Sequence, residues 1–213
     1  MPTGVASEAE YVELGLSRLA VPEDVRAALD AVLPDGIDVV EAVTAGPGGL
    51  TERIEASRWL VELPGVASDR LEDAVVKFTT ADQVLVERLT KHGRRSLDAR
   101  APVVRCGVVR PDATAQPAQD DSYRTSDSSS RLCAPPSGVR GNPCAILDLV
   151  VRHVTPSVRP DEVLAGLRVV ADLKPPLPVR ATRLAQGMLT EHGDIVDPLA
   201  ADREGHLSGR PSP

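Results

Sequence analysis

At 213 residues the chain can bury a real core as one large domain or two small ones, and 42% hydrophobic against 26% charged residues exclude a wholly disordered chain. Aromatics are only 2%, so that core has to be built from Val, Leu, Ala and Ile. The net charge of −7 is unevenly spread: residues 1–90 carry 17 acidic and 7 basic side chains and residues 91–213 carry 14 and 17, so a polyanion would have to meet the second part.

In chain order, Glu10–Leu16 alternates, with Val12, Leu14 and Leu16 on one face, the period of a half-buried strand. Pro22 opens a helix that runs to Leu33. Glu23 and Asp24 sit at its positive end, Val25, Leu29 and Val32 form its apolar stripe, and Pro34-Asp35-Gly36 stops it. Ile37–Val43 reads as the next strand. Gly46-Pro47-Gly48-Gly49 lacks the Lys-Ser/Thr ending and the GxGxxG spacing of a phosphate loop, so it reads as a hinge.

The pattern then restarts. Arg58–Leu63 is a strand with Trp59, Val61 and Leu63 on one face, and Ser68 caps a helix whose stripe is Leu71, Ala74, Val75 and Phe78. Gln83–Leu89 is the returning strand, and KHGRRSLDAR is a hairpin or loop leading into APVVRCGVV. Residues 112–142 hold almost no large apolar side chains and are expected to be a disordered loop, across which the adjoining strands still pair. Ala145–Val154 is a strand. Pro160-Asp161-Glu162 opens a helix with Val163, Leu164, Leu167 and Val170 inward, VRATRLAQ closes the unit, and a frayed polar tail starts at about Asp202. This order predicts an α+β sandwich, with antiparallel sheets covered by helices on one face.

Candidate chemistry is sparse. KHGRRSLDAR gathers Lys91, His92, Arg94, Arg95 and Arg100, and guanidinium groups pair bidentately with phosphate; a solvated hairpin with Arg100 paired to Asp98 or nearby acids is the alternative. RHVTPSVRPDE adds Arg152, His153 and Arg159. His153 shares a strand face with Leu147, Leu149 and Val151 and reads as a hydrogen-bonded core histidine, with no second and third metal ligand at a useful spacing. There is no GxSxG elbow, no HExxH and no iron–sulfur spacing, so no catalytic activity of its own and no cofactor are expected. Trp59 and Phe78 fall on core faces, which leaves only Tyr11 and Tyr123, so an aromatic platform for RNA bases is not expected. The binding residues expected for RNA or a protein partner are therefore Arg94, Arg95, Arg100, Arg152 and Arg159. No run approaches a membrane span, the first residues do not read as a leader, and Cys106, Cys133 and Cys144 lack CxxC spacing. Reduced thiols, a cytoplasmic location and no membrane are expected.

Four segments together carry a family likeness: GVASEAEYVELGL, SLDARAPVV, LVVRHVTPSVRPDEVLAGLRVVADL and TRLAQG (Thr182 to Gly187). They resemble the radical SAM-associated, or radical SAM-linked, protein family, a bacterial domain of unknown function. The likeness spans nearly the whole chain outside residues 112–142 and the tail. It implies an accessory role beside a radical SAM protein, to which the family is encoded adjacent or fused, and it implies no reaction. It also implies two ferredoxin-like βαββαβ-type units. Members of that family extend upstream of the point matching Met1, so the first unit is expected to lack its first strand and helix. On this reading residues 1–45 are the remnant of the first unit, 46–111 with 143–190 form the second, and 112–142 and 202–213 are disordered.

Overall fold

The computed structural model describes residues 5–91, 93–110 and 143–203; the segment expected to be a disordered loop and most of the expected tail lie outside these. The elements are β1 (Val5–Ser7), α1 (Pro22–Asp30), α2 (Leu50–Arg53), β2 (Ala56–Pro64), α3 (Ser68–Thr80), β3 (Leu85–Thr90), β4 (Gly93–Asp98), β5 (Val103–Val109), β6 (Cys144–Arg152), α4 (Pro160–Ala171), β7 (Arg180–Leu189) and β8 (Ile195–Val196). The main sheet runs β1-β7-β2-β6-β5, with β8 paired to β7.

β2 sits centrally, antiparallel to both β6 and β7. Trp59, Val61 and Leu63 alternate onto one face, where Leu149, Leu147 and Ala145 oppose them on β6. All six belong to the core, together with Leu71, Ala74, Val75 and Phe78 of α3 and Val163 and Leu167 of α4. The helices thus cover one face of the sheet, as their i, i+3, i+4, i+7 stripes require. β5 pairs antiparallel with β6 although residues 110–143 separate them in sequence. Asp194, in the turn between β7 and β8, reaches Arg105 on β5 at 3.1 Å.

Several expectations are corrected. The sheet is mixed rather than antiparallel, because β1 runs parallel to β7. Neither Glu10–Leu16 nor Ile37–Val43 is a strand. Their alternating apolar residues face solvent: Val12 is 77% and Val40 90% exposed. Alternation gives a strand only where another strand takes up its backbone groups and its apolar face, and neither segment pairs with a strand among the described residues. α1 forms, with Pro22 at its first turn, but ends at Asp30 and buries no residue. Ser68 is the first helical residue of α3 and makes no capping bond, since Ala67 occupies the cap position. β3 does not return to the main sheet: it pairs only with β4, and β5 is the strand that returns.

The polar tail does not begin at Asp202. That carboxylate pairs with Arg53 at 2.7 Å and accepts the amide of Gly46 at 3.0 Å, so it pins the glycine turn rather than trailing from it. Arg203 is bound by Glu41 and Asp197. Cys144 is disulfide-bonded, which overturns the expectation of three reduced thiols; Cys106 is free. No helix among the described residues is long and apolar enough to cross a membrane.

Candidate functional site

The β3–β4 hairpin stands outside the main sheet and packs on the helix layer through its inner face. Val86 and Leu97 oppose each other on that face and join the core. Two residues nearer the tip, the same face carries Arg88 opposite Arg95. Two guanidinium groups directly across a ladder repel, and the structure resolves the conflict by neutralising one. Arg88 Nε donates to Glu162 Oε1 at 2.7 Å and its Nη2 to the carbonyl of Ser157 at 2.6 Å. The other Glu162 oxygen accepts the backbone amide of Arg159 at 2.7 Å, at the start of α4. One carboxylate therefore closes the first turn of α4 and clamps the hairpin to it.

Between β4 and the turn joining β6 to α4 lies an open cleft of about 370 Å³. Its walls are apolar, formed by Leu97, Pro102, Val154, Pro156 and Val158, and Ser96, Asp98 and Arg152 stand at its polar edge. Asp98 Oδ1 accepts the amides of Val84 (3.0 Å) and Arg100 (2.9 Å), which fixes the chain as it leaves the hairpin. A second hollow at the hairpin tip is lined by Thr90, Lys91, Gly93, Arg94 and Arg95.

The five arginines named from sequence separate into two groups here. Arg152 lines the cleft, Arg95 shares a β4 face with the cleft residue Leu97, and Arg159 follows the cleft residue Val158. None of these three side chains has a hydrogen-bond or ion-pair partner among the described residues. The other two are engaged. Arg94 pairs with Glu87 across the hairpin at 3.0 Å, a fully exposed pair of small worth. Arg100 donates from Nε and Nη2 to the carbonyl of Thr79 and from Nη1 to that of Val103. A cation on the last carbonyls of α3 complements the negative end of that helix, so Arg100 serves the fold.

His153 lies beyond the end of β6. Its Nδ1 is 3.1 Å from the carbonyl of Ile54 and must carry the proton, so Nε2 accepts from Ser57 Oγ at 2.8 Å. Burial holds the imidazole pKa below its usual value, and nearby Arg183 adds to that; the Ile54 bond opposes it. A serine donating to a neutral histidine is the pairing that activates nucleophiles. Ser57 is only 2% exposed, however, so the pair joins the ends of β2 and β6 instead of facing a substrate. Among the described residues, no group of three metal-ligating side chains assembles.

Sequence reasoning missed Arg88, Glu162 and the Ser57–His153 pair. Arg88 sits in an apolar-looking strand, and only the β3–β4 register shows that it faces Arg95. Arg183, stacked 4.7 Å from the Trp59 ring centroid and paired with Glu10, was equally invisible before β2 and β7 were aligned.

Fold and site together define a mixed α+β domain with an arginine-edged cleft beside its helix layer. The chain belongs to the family described as an uncharacterized protein conserved in bacteria (DUF2344), which residues 1–160 match. No curated protein and no solved structure matches it.

Proposed function

We propose that this chain is a non-catalytic accessory domain of the bacterial cytoplasm that works with a radical SAM enzyme, the role its sequence resemblance implies. The observation that carries a protein-partner role is the segment between β1 and α2. Polar contacts tie it down at several points: Glu10 to Arg183, Glu13 to the amide of Leu50, and Arg203 to Glu41. Its large apolar side chains, among them Val12, Leu16, Leu19, Val32 and Val40, nevertheless point to solvent. Apolar surface held outward on an anchored segment is the signature of an interaction site. The run β2-α3-β5-β6-α4-β7, with the β3–β4 hairpin inserted, is read as the ferredoxin-like unit that serves as its scaffold. The test is co-expression with a radical SAM protein encoded beside the chain, followed by size exclusion. The two should co-elute, and Val12→Asp/Leu16→Asp should separate them. Independent elution of wild type at micromolar concentration refutes the reading.

A second reading, contact with RNA in tRNA or rRNA modification, is favoured by Arg152 in the cleft, Arg95 in the neighbouring hollow at the hairpin tip and Arg159 beside the cleft residue Val158, whose side chains have no partner among the described residues. Binding would be mainly electrostatic and would weaken steeply with salt, because each neutralised phosphate releases counterions. Filter binding of tRNA at several salt concentrations tests it. Retention should fall for Arg95→Ala/Arg159→Ala and stay unchanged for Arg100→Lys. No retention by wild type at low salt ends this reading.

A further inference from the structure

We propose that the cleft between β4 and the β6–α4 turn is a subsite for one amino-bearing nucleobase of a nucleotide, with the phosphate held by Arg152. The proposal rests on the RNA-contact reading and adds to it a defined seat for a single base. Its size, about 370 Å³, falls at the lower end of small-ligand sites, which span roughly 300–1,000 Å³. Leu97, Pro102, Val154, Pro156 and Val158 give it walls that suit a flat, weakly hydrated ring and offer nothing to a bare inorganic anion.

The polar groups at its edge have opposite signs and are not spent on each other. Arg152 forms no ion pair among the described residues, although Asp98 lines the same cleft. Asp98 uses Oδ1 for the amides of Val84 and Arg100, which leaves Oδ2 as an acceptor, with the Ser96 hydroxyl nearby in sequence and in the cleft. A carboxylate accepts from an exocyclic amino group such as cytosine N4, while a guanidinium grips phosphate. A nucleotide with an amino-bearing base satisfies both at once. A plain anion would satisfy Arg152 and meet Asp98 with like charge. Arg95 and Arg159, neither of them partnered among the described residues, then continue the cationic edge for flanking phosphates.

The test uses the full chain, with CMP, UMP, cytidine and inorganic phosphate titrated by calorimetry and by methyl NMR. CMP should bind and shift the Leu97, Val154 and Val158 methyl signals. UMP and cytidine should each bind about tenfold more weakly, the scale of one hydrogen bond to a charged group. Arg152→Ala should reduce CMP to the cytidine level, and Val154→Trp, which fills the cleft, should abolish binding of both. Arg152 is exposed, so its variant remains decisive even if the tryptophan variant fails to fold. Equal binding of CMP and UMP, full displacement of CMP by phosphate, or CMP binding untouched by Arg152→Ala each overturns the proposal. Salt-dependent tRNA retention without any mononucleotide response at the cleft overturns it too and leaves the RNA reading intact. CMP binding without tRNA retention supports the subsite and removes the RNA reading.

Discussion

Gly166 of α4 packs directly against the Phe78 ring of α3, and replacing it tests how the helix layer is held. A Cβ built there would lie 2.7 Å from Phe78 Cε2 and 3.2 Å from Val84 Cγ1. The ring cannot swing aside, because Phe78 is fully buried between the helices and the sheet. Gly166→Ala gains roughly 1 kcal/mol from helix propensity, whereas overpacking a closed core costs about 1–3 kcal/mol. The clash should win, for a net loss of about 1 kcal/mol, or a fall of about 2–4 °C in melting temperature for a chain of this size. Urea unfolding of both single variants and the double variant with Phe78→Leu separates the two terms. Phe78→Leu alone should cost about 1–2 kcal/mol, less than full truncation of the ring. On that background the Phe78 clash is gone and only the milder Val84 contact remains, so the same Gly166→Ala should turn neutral or stabilising, a coupling of about 1–2 kcal/mol. Stabilisation by Gly166→Ala in the unaltered chain would refute the close approach of α3 and α4, and with it the placement of Glu162 over the hairpin.

Three further outcomes are expected. Burial pushes the Cys106 thiol up to about 12, so it should resist iodoacetamide at pH 8 until the chain is unfolded; rapid alkylation of the native protein, followed by peptide mapping, would contradict this. His153 has a folded pKa below its unfolded value, so the unfolded chain binds the proton first and stability should decline as pH falls below about 6.5. His153→Asn should flatten that part of the curve of melting temperature against pH, and an unchanged curve would count against the Ser57–His153 bond. Glu162→Gln should loosen the hairpin, seen as faster amide exchange in β3 and β4 with β2 and β6 unchanged, because it weakens the charge-assisted bond to Arg88. Uniform acceleration across all strands would show instead that the clamp holds the whole fold.

The helix layer and its strands were legible because burial writes itself into spacing. Leu71, Ala74, Val75 and Phe78 recur at helical intervals and all reach the core, and Trp59, Val61 and Leu63 recur at two and do the same. The part before β2 was misread for the reverse reason. Val12, Leu14 and Leu16 repeat with the period of a strand, yet no strand among the described residues pairs with them, and period alone does not say whether such a partner exists. A further difficulty was order. β3 has a strand's sequence and follows a helix, which makes it the natural returning strand, but β5 takes that place and leaves β3 to close a hairpin with β4.

The site was half legible for a more specific reason. Clustered arginines announce a basic surface, but whether each is available depends on contacts with residues far away in sequence. Arg100 is absorbed by the Thr79 carbonyl at the end of α3, 21 positions back, and Arg88 by Glu162, 74 positions on. Arg95 has no partner among the described residues, and Glu162, which bridges α4 and the hairpin, is taken by Arg88, its neighbour across the ladder. Neutralising one member of a like-charged pair lets the hairpin form without burying the other. The same clamp brings Arg159 and the cleft residue Val158 against the hairpin, so the contact that stabilises the hairpin is also the one that assembles the cationic edge of the cleft. A charge reversal at Glu162 should therefore weaken ligand binding at Arg152 without touching the cleft. That separates an assembled site from a merely basic surface, on which removing an acid would strengthen the attraction for phosphate.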